Sequence, residues 1–131
     1  MFIPKESINL LLKHTFRHYG KKEGGGASVR LADNAVLGID FKPETGYMVG
    51  VKDILISEDT ETISDLVNNI FKKASQLDNI PQQAFIGSWI SDRLYVDLSL
   101  YITDKEEALE LGRKYNQLAI YDIKNKGDIK I

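Results

Sequence analysis

Phe85, Gly87, Trp89, Tyr95, Asp97, Ser99 and Tyr101 occupy alternate positions of two short runs, and they carry the chemistry legible in this chain. Aromatic rings interleaved with a carboxylate and a hydroxyl suit a flat base or a sugar ring. A ring stacks for about 1–3 kcal/mol, and Asp97 accepts hydrogen bonds from hydroxyls. The runs, Ala84–Ile90 and Leu94–Ile102, alternate with period two on either side of Ser91-Asp92-Arg93, which predicts a hairpin. Pairing Ile90 with Leu94 places Ile86, Ile90, Leu94, Val96, Leu98, Leu100 and Ile102 on a core face and the aromatic set on the other. A slip of one residue would mix the two sets. In this register Gly87 lies across from Asp97 and leaves a gap beside it. The same surface also suits a subunit interface, where Tyr and Trp are enriched, and Phe85 has a packing alternative beneath the N-terminal helix.

Arg93, Arg113 and Arg30 are the candidates for holding phosphates, because the planar guanidinium fork matches their oxygens. Asn116 and Gln117 stand at a predicted helix-to-strand junction, where polar side chains shape a site or satisfy a helix end. The ligand-binding set is therefore Phe85, Trp89, Arg93, Tyr95, Asp97, Ser99, Tyr101, Arg113, Asn116 and Gln117. No catalytic signature accompanies it. Gly87-Ser88-Trp89 lacks the closing glycine of a nucleophile elbow. Asp92 and Asp97 would be an acid–base pair only if the fold joined them. His14 and His18 stand one turn apart, but no glutamate follows His14 in the metalloprotease manner, so neither a metal site nor a cofactor is expected. The segment Lys21–Ser28, KKEGGGAS, is basic and glycine-rich yet lacks the Lys-Ser or Lys-Thr of a phosphate loop, which favours a solvated connector.

With 131 residues, 43% hydrophobic and 27% charged, the chain is expected to form a single domain, 1–131, with an ordinary core. The net charge of −2 gives no support to general nucleic-acid binding. Cysteine is absent, which excludes disulfides and thiolate chemistry and fits a reducing compartment. No run has the length of a signal peptide core or a membrane span, so a cytoplasmic location and no membrane partner are expected.

The elements that must position the site follow from periodicity. Ile8, Leu11, Leu12, Phe16 and Tyr19 predict an amphipathic helix over Pro4–Tyr19, stopped by Gly20. Val29–Phe41 alternates loosely around Asp33-Asn34 and predicts a small hairpin. Gly46–Ile56 reads as a strand. SEDTET starts a helix whose stripe is Ile63, Leu66, Val67, Ile70, Phe71, Ala74 and Leu77. After the central hairpin, Thr103-Asp104-Lys105-Glu106 predicts a capping box. Ala108, Leu109, Leu111 and Tyr115 continue that helix. Gln117–Ile123 returns as a strand, and Asn125-Lys126-Gly127 turns into a last strand, Asp128–Ile131. The expectation is an α+β fold: a mainly antiparallel sheet with helices on one face, a split β-α-β-like core, plus an N-terminal helix and hairpin. The free sheet face would be covered by the N-terminal helix, another subunit or a ligand.

The pieces GGAS (Gly25–Ser28), GYMVGV (Gly46–Val51), GSW and LYVDLS (within Gly87–Ser99), EEAL (Glu106–Leu109) and NQLAIYD (Asn116–Asp122) resemble a family of small phage and prophage accessory proteins. Against that pattern the stretch Val29–Lys42 is longer than usual. In size and organisation the chain is similar to the Thoeris anti-defence sponges. That resemblance implies a counter-defence protein in the bacterial host's cytoplasm that sequesters a nucleotide-derived signal, such as a cyclic ADP-ribose isomer, without cleaving it. A protein–protein inhibitor of a host defence nuclease, like an anti-CRISPR, is the alternative, and a small nucleotide hydrolase a third. A homo-oligomer is expected, since an aromatic sheet face is more than a small monomer usually leaves in water. Light scattering should show a multiple of 14.8 kDa at micromolar concentration, and a single species of that mass would contradict it.

Overall fold

Each helix is positioned by local chemistry before it packs. The chain is described by a computed structural model over residues 3–16, 26–57, 62–81, 83–90 and 93–131. Helix α1 (Lys5–Phe16) follows Pro4, whose carbonyl accepts from the amides of Ser7 and Ile8. The expected last turn to Tyr19 and the Gly20 stop lie outside the described residues. Helix α2 (Ile63–Ala74) is capped by Thr62, whose hydroxyl accepts from the Asp65 amide at 3.2 Å. Helix α3 (Lys105–Lys114) is capped one residue later than its sequence suggests. Asp104, not Thr103, is the cap, and its Oδ2 accepts from the Glu107 amide at 2.9 Å. A carboxylate there complements the helix dipole better than a hydroxyl does.

The strands are β1 (Gly26–Arg30), β2 (Tyr47–Ser57), β3 (Phe85–Ile90), β4 (Leu94–Ile102), β5 (Ala119–Asp122) and β6 (Gly127–Lys130). They form one antiparallel sheet in the order β1-β3-β4-β2-β5-β6. Its centre, β3-β4-β2-β5, is the expected split β-α-β unit: each crossover, through α2 or α3, passes one intervening strand. The central hairpin pairs Ile90 with Leu94 and Gly87 with Asp97, the register that alternation predicts. Part of the glycine-rich connector is sheet, because Gly26–Ser28 belong to β1 and pair with Gly87–Trp89. Lys21–Gly25 and His18 lie outside the described residues. The expected hairpin around Asp33-Asn34 is reduced to a turn with an isolated Val29–Val36 bridge. Asn34 takes a positive φ of 59° there, and its Oδ1 accepts from Ser7 Oγ of α1.

All three helices pack on one sheet face. Ile8, Leu11 and Leu12 of α1 and Leu66, Val67 and Ile70 of α2 bury Val29, Ile86, Leu94, Val96 and Leu98. Ala108 of α3 covers Val49 and Ile120 beside them. Ser88 points into this face, where its hydroxyl bonds Thr15 of α1, so a polar pair deep in the core is satisfied. Phe85 is not beneath α1. It is buried on the opposite face, under Phe41 of the 31–46 segment, with ring centroids 6.0 Å apart. The N-terminal helix therefore does not cover the aromatic face.

Leu98 is 3% exposed and central to the helical face. Leu98→Ala should cost about 2–5 kcal/mol by opening a cavity, measured by urea unfolding. Asp97→Ala, on the other face, should open no core cavity and should not lower the midpoint, since it removes a carboxylate that burial and Asp53 disfavour. Equal losses would contradict the assignment of the two faces.

Candidate functional site

Half of the face away from the helices is closed and half is open. At the closed end Phe41 stacks on Phe85 and meets Tyr101 edge-on at 5.2 Å, and Tyr101 donates to the Thr45 carbonyl at 2.6 Å. Arg30 lies over Phe41, its guanidinium 4.9 Å from the ring centroid, and is held by Asp33 through Nε–Oδ1 and Nη2–Oδ2 contacts of 3.0 and 2.9 Å. Phe85, Tyr101 and Arg30 are thus committed to packing this segment onto the sheet.

The open end is a cleft of about 920 Å³. Its aromatic wall is Trp89, stacked on its cross-strand partner Tyr95 with centroids 4.4 Å apart and planes 12° apart. Trp89 remains 47% exposed. One rung along the same face, Asp97 lies between two glycines. A Cβ at Gly87 would stand 3.1 Å from Asp97 Oδ1 and 3.3 Å from Ser28 Oγ, and one at Gly50 would stand 3.5 Å from Asp97 Oδ2. A side chain at Gly87 would press on the carboxylate, while one at Gly50 would only touch it. Ser99 follows on β4, and Ser28 of β1 closes the niche.

The α3–β5 junction forms the facing wall. The Gln117 amide donates to the Gly112 carbonyl and the Asn116 amide to that of Arg113, closing the helix with a Schellman turn. Asn116 fills its left-handed position at φ 55°, one of the few side-chain-bearing residues that does so cheaply. The turn brings Gln117 over Gly50, where a Cβ would lie 2.8 Å from Gln117 Oε1. Leu118, Tyr121 and Asp128 complete the lip.

Of the expected ligand residues, the fold brings Trp89, Asp97, Ser99, Asn116 and Gln117 together around the cleft, with Tyr95 behind Trp89. Phe85 and Tyr101 serve the closed end. Arg93, exposed at the start of β4, and Arg113, exposed in the last turn of α3, are not among the described residues lining the cleft. Asp92 lies outside the described residues.

A second acid does meet Asp97 in the cleft. Asp53 of β2 is in register with Asp97. Strict alternation from Tyr47 and Val49 would send Asp53 to the helical face, but the register shifts between Gly50 and Lys52 and turns it into the cleft. Partial burial, reinforced by the Asp53 charge, pushes the Asp97 carboxyl up to about 7. Among the described residues, no group of three His, Asp or Glu side chains is placed to hold a metal ion. No described helix is long and apolar enough to cross a membrane.

Comparison of the chain with family models, with curated proteins and with solved structures finds no match.

Asp97 generates a stability prediction. Its carboxyl titrates at an ordinary 3.8 when unfolded and at about 7 when folded. The folded state therefore holds the proton more tightly, and the contribution is greatest below the unfolded value and is lost as pH rises through the folded one. Asp97→Asn should flatten that decline between about pH 4 and pH 7, read as unfolding free energy across the range. An unchanged slope would show that Asp97 is not the titrating group.

Proposed function

We propose that this protein is a non-catalytic binding module that takes the nucleoside portion of a nucleotide-derived ligand and holds it without cleaving it. The observation that carries the reading is the half-exposed Trp89–Tyr95 stack standing one rung from a carboxylate in a glycine-lined niche. A base stacks on Trp89, while Asp97, Ser99 and Gln117 offer acceptors and donors to ribose hydroxyls and ring edges. The cleft's volume falls in the range of small-molecule sites. In the phage setting that the sequence resemblance implies, such binding would sequester an immune signal in the bacterial host, with no cofactor required.

A second reading, inhibition of a host defence protein, is favoured by Leu118. It is 88% exposed at the lip, close to the exposed Tyr121, and together with Trp89 would make an interface hot spot. Native mass spectrometry of protein isolated from host cells separates the two, since it reports a retained small ligand or a retained partner chain.

Trp89 is the only tryptophan and reports on its own site. Titration with adenine nucleosides and nucleotides should change its emission and raise the melting temperature. A ligand binding only the folded state adds about 2.7 kcal/mol at a hundredfold excess over Kd. Trp89→Ala should weaken binding by roughly 1–3 kcal/mol, and the ligand should be recovered intact. A panel that moves neither signal would count against the binding reading.

A further inference from the structure

The charge of the cleft says which form of such a ligand it accepts. Three carboxylates line it, Asp53 from β2, Asp97 from β4 and Asp128 from β6, and no Lys or Arg does among the described residues. The one arginine near this sheet face with a described partner, Arg30, is already held by Asp33 over Phe41. Phosphate oxygens placed here would meet negative charge on two walls. A positive charge would be favoured twice, by the carboxylates and by the electron-rich face of Trp89, since such a face attracts cations within about 6 Å of the ring centroid. The spacing fits one flat ring. Trp89 and Tyr95 form one cross-strand pair and Gly87 and Asp97 the next on the same face, so a ring lying on the indole reaches toward the Asp97 niche.

Resting on the binding role argued above, we infer that the ligand is a planar heteroaromatic cation of the N-alkylated or N-glycosylated base type, stacked on Trp89 with its charge facing Asp97 and Asp53 and with no phosphate inside the cleft. Asp97 is then the residue that sets charge selectivity. It is faced by Asp53 of β2, by Ser28 of β1, by Gln117 of the α3–β5 junction and by Asp128 across the cleft. Lys52 is in register with Leu98 of the helical face and does not oppose it. Selectivity should therefore vary with pH in one direction. Ionisation of Asp97 near neutrality strengthens binding of a cation, so affinity rises as pH rises through about 7.

Three probes that differ in charge test this by titration calorimetry with the full chain: adenosine, 1-methyladenosine, whose ring is cationic at neutral pH, and adenosine 5′-monophosphate. The expected order is 1-methyladenosine at least about tenfold tighter than adenosine, which is the effect of about 1.4 kcal/mol of added attraction, with the monophosphate weakest. The preference should grow between about pH 6 and pH 7.5. Asp97→Asn should remove both the preference and its pH dependence. The exposed Asp53→Asn should reduce the preference, and it supplies the test if the substitution at 97 disturbs folding. Equal affinity for adenosine and 1-methyladenosine, or tighter binding of the monophosphate, would overturn the charge assignment while leaving the binding role standing. No heat and no melting shift with any of the three would overturn the binding role, and the charge assignment with it.

Discussion

Strand β4 has to satisfy two surfaces at once, and the rest of the molecule is arranged around that requirement. Leu94, Val96 and Leu98 bury themselves against α1 and α2, while Tyr95, Asp97 and Ser99 of the same strand face the other way. The period of two forbids any compromise between them: a slipped register would bury Asp97 in the apolar layer and expose three core residues. The large apolar gain on one face therefore fixes the position of a costly carboxylate on the other. Strand pairs on both sides of β4 hold it in place, so the site is built on the stiffest part of the sheet rather than on a loop.

That rigidity lets the cleft retain an unfavourable arrangement. Like charges directly opposite each other in a sheet are destabilising, yet Asp53 and Asp97 face each other across β2 and β4. Raising the Asp97 carboxyl so that it is partly neutral near pH 7 lowers the repulsion, and Gly87 makes room for it, as Gly50 does for Gln117, at the expense of strand propensity. Each feature weakens the fold a little. Together they create a group whose charge depends on what approaches it, which is a property of binding sites more than of cores.

The two ends of the open face show how similar residues are put to different uses. At one end Phe41 stacks on Phe85 and edge-on to Tyr101 while Arg30 lies above, making a small satellite core for the 31–46 segment. At the other, Trp89 and Tyr95 stack on each other, and the indole stays half in water. The Schellman turn after α3 adds the remaining wall by throwing Asn116 and Gln117 across the β2 edge onto the open face.

Much of this was legible in residue order. The hairpin register, the partition of β3 and β4 into an apolar and an aromatic face, the gap opposite Asp97 and the split β-α-β order all follow from period-two and period-3.6 patterns, because burial of one face leaves the chain no alternative. Residue order alone puts the cap of α3 one residue early because Thr103 and Asp104 are both competent caps, and only the packed position of the helix chooses between them. What tertiary structure alone decided was the company Asp97 keeps. Alternation in GYMVGVKDILI assigns Asp53 to the core side, and a register shift between Gly50 and Lys52, set by the pairing of β2 with β4, reverses that assignment. The fate of Phe85 was equally hidden, since its alternation gives a face but not the Phe41 ring that arrives from forty-four positions earlier in the chain. Local pattern determines which way a side chain points; which other side chain meets it there depends on pairings between distant segments, and those are settled only when the whole sheet closes.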